Sequence, residues 1–166
     1  MTDTLHLQDI ALAHAPAIQR YAADQRIADT ASSIPHPYPD GAAECFVRRV
    51  LQERVEKKSF VHAVMIGEEF VGVASLFNCL RVPGEAEVGY WIGVPFWGKG
   101  YATHAVSLLI ALAKSMGFSA LVGKCVARNP ASARVMEKNG FHFDKESIGC
   151  GPHTGDLVRE FKRTVM

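Results

Sequence analysis

The length, composition and charge of this chain limit what it can be. Its 166 residues suffice for a single domain spanning 1–166, and 48% apolar with 21% charged residues is typical of globular proteins. Because 18 basic residues balance 17 acidic ones, the net charge of +1 gives no basis for predicting nucleic-acid or membrane binding.

In chain order, the first half of the sequence predicts one strand, two helices and a hairpin. The predicted elements are a strand at 4–8, helices at 10–26 and 42–57, and strands at 60–66 and 70–77. Pro16 is expected to interrupt the first helix. Prolines and a glycine make 34–41 a loop, and Gly67 with two glutamates supplies the hairpin turn.

The second half predicts a strand–helix–strand unit followed by further strands. The predicted elements are a turn at 81–84, a strand at 87–94, a helix at 102–116, a strand at 121–127, a helix at 130–138, and strands beginning at 141 and 157. Asn129 and Pro130 have the residue types of an N-cap and first helical position. This order predicts a mixed α/β or α+β sheet with helices on both faces.

Hydropathy and cysteine spacing give no sign of export or metal binding. The N-terminus lacks a signal-like apolar run, and the longest helical apolar run, 105–113, is too short to span a bilayer. The cysteines, which form no C-x-x-C pair, are Cys45, Cys79, Cys125 and Cys150. We therefore predict a cytoplasmic protein with reduced thiols and no metal.

The turn before the helix at 102–116 has the composition of an anion-binding site. A helix N-terminus leaves backbone N–H groups without partners, and Gly98 and Gly100 allow an anion to approach them closely. Lys99 adds positive charge. The spacing matches neither a Walker A loop nor the dinucleotide fingerprint. The alternative is an ordinary strand-to-helix turn with two glycines.

Four motifs resemble, in order and spacing, the GNAT acetyltransferase superfamily and especially its RimJ/RimL-type branch. They are Glu-Val-Gly-Tyr-Trp-Ile at 87–92, Trp-Gly-Lys-Gly-Tyr-Ala-Thr at 97–103, Asn-Pro-Ala-Ser at 129–132 and Glu-Lys-Asn-Gly-Phe at 137–141. The resemblance implies a mostly antiparallel, twisted GNAT-like sheet. At its centre, acetyl-CoA is expected between two splayed parallel strands.

The resemblance also implies how the cofactor is held. In the superfamily motif Q/R-x-x-G-x-G/A, Gly100 takes the glycine position and Ala102 the last small position, whereas Trp97 departs from the glutamine or arginine. Backbone amides are expected to carry most of the diphosphate binding. The expected cofactor contacts are Ile92, Gly93, Val94, Trp97, Gly98, Lys99, Gly100, Tyr101, Ala102, Asn129 and Ser132.

Two residues are candidates for the chemistry of amine acetylation. Glu87 is expected to act as base through a water, because apolar neighbours on its strand would raise its pKa. Ser132 is expected to reach the CoA sulfur as a hydrogen-bond donor or acid. Tyr38 and Tyr90, together with Glu87, are expected to line the acceptor pocket. The alternative for Glu87 is a surface carboxylate paired with Lys or Arg. The alternative for Ser132 is an exposed helix serine without a role in the chemistry.

Three functions remain open from the sequence. The first is acetyl-CoA-dependent N-acetylation of a primary amine, on a protein N-terminus or a small molecule, by a monomer or homodimer. The second is a non-catalytic acyl-CoA sensor, suggested by Trp97. A nucleotide phosphotransferase is disfavoured because the turn lacks a Walker lysine and a nearby metal-binding acid.

Overall fold

Seven strands lie in one sheet, in the order β1-β2-β3-β4-β5-β7-β6, in a computed structural model that describes residues 3–31, 33–149 and 155–165. The strands are β1 (Leu5–Asp9), β2 (Phe60–Ile66), β3 (Glu69–Phe77), β4 (Glu85–Ile92), β5 (Ala120–Val126), β6 (His142–Ile148) and β7 (Leu157–Thr164). Every neighbouring pair is antiparallel except β4 and β5, which are parallel. The predicted mixed, mostly antiparallel sheet with one central parallel pair is confirmed.

Helices cover both faces of this sheet, as predicted. In the described residues they are α1 (Ala15–Ala22), α2 (Gln25–Ala28), α3 (Ala42–Val55), α4 (Tyr101–Ser115) and α5 (Pro130–Lys138). Helices α1–α3 share one buried cluster with β2 and β3, while α4 and α5 share another with the opposite face. Helix α4 links the parallel strands β4 and β5 as a crossover connection.

The predicted boundaries differ from the structure where short turns intervene. Pro16 does not interrupt a helix but lies in the first turn of α1, where a missing N–H costs nothing. Strand β4 ends at Ile92 because Val94–Phe96 forms a single 3₁₀ turn. Asn129 caps α5 through its side chain, as predicted. Cys150 lies outside the described residues, whereas Cys79 and Cys125 are buried and Cys45 is exposed.

The core on the α4/α5 face depends on Phe161, which is fully buried in β7. We expect Phe161→Ala to lower the free energy of unfolding by about 3–5 kcal/mol, because it removes a large side chain and leaves a cavity. Ile148→Ala, at a side chain that is 70% exposed on β6, is the control and should change stability by less than about 0.5 kcal/mol. Urea denaturation of both variants measures the difference. Equal effects would contradict this account of the core.

Candidate active site

The parallel strands β4 and β5 pair only over their first halves and then separate. Their ladder runs from Glu85 opposite Ala120 to Val88 opposite Gly123 and stops there. Strand β4 continues to Ile92, and β5 continues to Val126. The result is a wedge-shaped opening in the middle of the sheet, which confirms the predicted splayed pair.

The backbone of β4 presents groups to this opening only at alternate residues. The amide of Gly93 donates to the carbonyl of Val71 on the β3 side at 2.8 Å, so the expectation that this amide is available to a cofactor is wrong. Hydrogen-bonding direction alternates along a strand, so the N–H and C=O of Ile92 point the other way, towards the opening. Ile92 is therefore the residue of the 92–93 pair whose amide faces the wedge.

The turn between β4 and α4 leaves a row of amides without acceptors. Both Gly98 and Gly100 have φ of +78°, a left-handed conformation that favours glycine. Within the described residues, no backbone or side-chain acceptor contacts the amides from Gly98 to Thr103, and the N-cap Gly100 offers no capping side chain. The first intrahelical bond runs from the His104 amide to the Gly100 carbonyl. These amides form the donor set expected of an anion site.

Trp97 contributes to this turn in a way that the sequence did not reveal. Its amide donates to the Val94 carbonyl at 3.1 Å, so the predicted row of available amides begins at Gly98 and not at Trp97. Its indole Nε1 donates to the Ile92 carbonyl at 2.6 Å. The tryptophan that departs from the superfamily motif thus ties the turn to the end of β4.

Helix α5 begins across the wedge from β4 and carries a hydroxyl pair. The Asn129 side-chain oxygen accepts from the Ser132 amide at 3.3 Å, which fixes the first turn of α5. The hydroxyl of Ser132 lies 2.7 Å from the hydroxyl of Tyr90. Burial raises the pKa of Tyr90 to about 12, so its phenol stays protonated across the physiological range.

Tyr90 lies on the α4/α5 face and not with the expected acceptor residues. Along β4 successive side chains alternate between faces. Tyr90 packs with the α4/α5 core, whereas Trp91 packs with the α1–α3 core, on the side where Glu87 also projects. Tyr90 lines the cavity from the α5 side, on the opposite face of β4 from Glu87, with which it was expected to line the acceptor pocket.

The surroundings of Glu87 are polar, in contrast to the apolar neighbours expected from the sequence. Its Oε2 accepts from the Asn78 side-chain amide at 2.9 Å and lies 3.6 Å from the Lys124 Nζ. The side chain is only 13% exposed. The alternative that the sequence left open, a carboxylate paired with a lysine, is therefore correct as a description of contacts. The same carboxylate lines the central cavity.

One cavity of about 1350 Å³ joins the turn, the wedge and the Glu87 side. Ligand pockets typically measure about 300–1,000 Å³, so this one has room for two substrates. The predicted site residues that line it are Tyr38, Glu87, Tyr90, Ile92, Trp97, Gly98, Gly100, Tyr101, Ala102, Asn129 and Ser132. Gly93, Val94 and Lys99 do not line it.

Several lining residues were missed by sequence reasoning, and each lies outside the motifs. Among the polar ones are Arg49, Glu53, Lys58, Asn78, Arg81, Lys124, Lys145 and Glu160. Cys125 also lines the cavity; burial raises the pKa of its thiol, and Arg159 and Ser132 oppose that rise. The only available signal was the strand pattern around them, which does not give register.

No group of three or more His, Cys, Asp or Glu residues suited to a metal occurs in the described ranges.

Comparison with known families identifies the class of this fold and site. The family model described as an acetyltransferase (GNAT) domain matches residues 4–142. The chain therefore belongs to the GNAT acetyltransferase family, as its motifs predict.

Curated relatives are acetyltransferases by name. The probable N-acetyltransferase YjcK of Bacillus subtilis (strain 168) is 34% identical over 102 residues, which cover 58% of this chain and 55% of that protein. The ribosomal-protein-serine acetyltransferase of Escherichia coli (strain K12) is 32% identical over 102 residues, covering 61% and 54%. The matched segment thus spans about half the length of these two relatives.

Solved structures share the fold at low sequence identity. RimL, a ribosomal L7/L12 α-N-protein acetyltransferase in complex with coenzyme A, has a TM-score of 0.89 at 18% identity and covers 98% of this chain and 94% of its own. That complex contains a disulfide between coenzyme A and a RimL cysteine. Spermidine N-acetyltransferase from Vibrio cholerae, with CoA and spermine, has a TM-score of 0.82 at 13% identity, covering 97% of this chain and 95% of its own.

None of the helices in the described part of the chain has the length and apolar character needed to cross a membrane.

Proposed function

We propose that the protein transfers an acetyl group from acetyl-CoA to a primary amine, by direct transfer while both substrates are bound. The observation that carries this proposal is the row of amides from Gly98 to Thr103, which lack acceptors in the described residues and begin a helix at the mouth of the wedge. Family membership and the relatives with bound CoA support the same cofactor.

The cofactor is bound by backbone groups in this proposal. The diphosphate accepts from the amides at the start of α4, where the helix dipole adds favourable potential. The pantetheine arm follows β4 through the wedge and pairs with the inward-facing amide of Ile92. Acetyl-CoA supplies the activated acetyl group, and its thioester then lies between Ser132 and the end of β4.

The chemistry is divided between the two faces of β4. The amine nitrogen forms a bond to the thioester carbonyl carbon as the carbon–sulfur bond breaks. Glu87 receives the amine proton, through a water, on the α1–α3 side. Ser132 donates to the leaving thiolate on the α5 side, and the Tyr90 hydroxyl at 2.7 Å supports that donation. A single cavity that contains both groups holds the reactants in line.

Thiol release in the presence of amines tests this function. Purified protein is titrated with acetyl-CoA by calorimetry, and CoA release is then followed with N-terminal peptides, small amines and spermidine. Micromolar binding with amine-dependent release is the expected result. Tight binding without turnover on any acceptor would instead favour the sensor alternative. A cytoplasmic location, a single domain and a monomeric or homodimeric state stay predictions.

Removing one hydroxyl of the Tyr90–Ser132 pair should slow chemistry without loss of cofactor. We expect Tyr90→Phe and Ser132→Ala each to lower kcat about tenfold, and the double variant to be no slower than Ser132→Ala, because the phenol acts through the serine. Single-turnover rates and acetyl-CoA affinity measure the two effects. Additive losses in the double variant would contradict the relay.

A further inference from the structure

Four charged residues of alternating sign form a row across the C-terminal half of the sheet. They are Glu87 on β4, Lys124 on β5, Glu160 on β7 and Lys145 on β6. Glu160 lies directly opposite Lys124 in one ladder and directly opposite Lys145 in the other. The Lys124 Nζ reaches back to the Glu87 Oε2 at 3.6 Å. We refer to these four residues as the charged row.

The charged row lies on the sheet face that α4 and α5 do not cover. Gly123 and Phe161, which alternate with the members of the row, face the α4/α5 core: a side chain at Gly123 would meet Met136 of α5, and Phe161 is buried there. Residues that precede or follow them project to the other face. All four members of the row line the central cavity, so the row forms the floor of the cavity on the Glu87 side.

Several charges at this floor make no ion pair, and two of them, Arg81 and Lys145, are exposed to solvent. Although Glu160 and Lys145 are directly opposite, no ion pair within 4.0 Å joins either of them to any partner among the described residues. Arg81, in the turn that also positions Asn78 beside Glu87, lines the cavity and likewise has no carboxylate within that distance in the described ranges. Cross-strand ion pairs therefore do not occupy these groups, which leaves them available to a charged ligand.

From this arrangement we infer that the acceptor is a primary amine that also carries a carboxylate. The inference rests on the proposed function and specifies its substrate class. The amine is placed at Glu87, where its proton leaves, and the carboxylate binds the cationic end of the row at Lys145. The described charged residues that line the cavity are three carboxylates and five cations, so a polycation meets net repulsion; they are Glu53, Glu87 and Glu160, and Arg49, Lys58, Arg81, Lys124 and Lys145.

Free amino acids and peptides with an acidic residue near the N-terminus both have this chemistry. The test therefore uses matched acceptor pairs that differ only in the carboxylate: glycine with glycinamide, and Ala-Asp-amide with Ala-Asn-amide. Spermidine is the polycationic comparison. Rates of CoA release are expressed per neutral amine, because the two members of a pair differ in amine basicity. We expect at least one carboxylate to be preferred about tenfold or more in kcat/KM.

A lysine-to-glutamine pair of variants assigns the preference to the row. Lys145→Gln should reduce kcat/KM about fivefold or more for the carboxylate acceptor, and less than twofold for its amide partner. The matched control is Lys162→Gln: Lys162 lies two residues from Glu160 on the same strand and is exposed, as Lys145 is, but it does not line the cavity. It should leave both rates unchanged. Thermal unfolding establishes that both variants fold.

The outcomes separate this inference from the proposed function. If glycine is preferred over glycinamide, the acceptors are free amino acids. If only Ala-Asp-amide is preferred over its Asn partner, the acceptors are acidic peptides. Faster acetylation of spermidine than of either carboxylate, or equal rates within both pairs, overturns the inference and leaves amine acetylation standing. Loss of the preference in Lys162→Gln and not in Lys145→Gln also overturns it. Absence of CoA release with every acceptor overturns both.

Discussion

Gly100→Asp should weaken acetyl-CoA binding by about 100-fold, which corresponds to roughly 2.7 kcal/mol. The added carboxylate competes with the diphosphate for the amides at the start of α4 and repels it. The φ of +78° at this position costs a residue with a Cβ about 1–2 kcal/mol of folding stability. Because Asp is a favoured N-cap residue, capping of α4 offsets part of this loss. Calorimetry of acetyl-CoA binding and the unfolding midpoint measure the two effects separately.

Two variants control this experiment. Gly100→Ala adds the Cβ without the charge, and nothing lies within 4 Å of that Cβ, so affinity should fall by only a few-fold. Gly117→Asp places the same charge on a glycine with φ of +87° at the opposite end of α4, and it should bind acetyl-CoA like the parent protein. If Gly100→Asp binds acetyl-CoA with the parental affinity, the diphosphate does not bind at this turn.

Glu87→Gln should lower kcat by about 100-fold while acetyl-CoA affinity is unchanged. The amide keeps the size of the side chain but loses the ability to take the amine proton. It also ends the ion pair with Lys124. Steady-state kcat at saturating amine and calorimetric acetyl-CoA affinity are the two measurements, and only the first should change.

The matched control for Glu87 is Glu85→Gln. Glu85 lies two residues earlier on β4, so it projects to the same face, but it does not line the cavity. Its variant should retain the parental kcat. A Glu87→Gln protein with the parental kcat would reject the base.

Local patterns in the sequence predicted those parts of the molecule that local physics determines. Glycines before an apolar helical stripe led to the amide row at Gly98–Thr103, and the Asn129-Pro130 pair led to the capped start of α5. The hairpin of β2 and β3 followed from two β-branched runs around a glycine turn. In each case the residues that specify the structure are neighbours in the chain.

The rest depended on contacts between distant segments. Strand patterns do not give register, and a shift of one residue exchanges the faces of a strand. For this reason the lysine beside Glu87 could not be named, although a Lys or Arg partner was considered. The placement of Glu87 and Tyr90 on opposite faces did not depend on register, because alternation along one strand already separates positions 87 and 90. The bond from the Trp97 indole to the Ile92 carbonyl also depends on folding of the turn, which no motif encodes.

The separation of β4 from β5 has a consequence for how this site diversifies. In the proposed function, even-numbered positions of β4, such as Tyr90, serve the acetyl-CoA side, and odd-numbered ones, such as Glu87, serve the acceptor side. Substitutions can then accumulate on one face of the strand while the residues on the other face are preserved. On this proposal, a substitution at an odd-numbered position of β4 would alter acceptor selectivity while leaving the acyl-donor side unchanged.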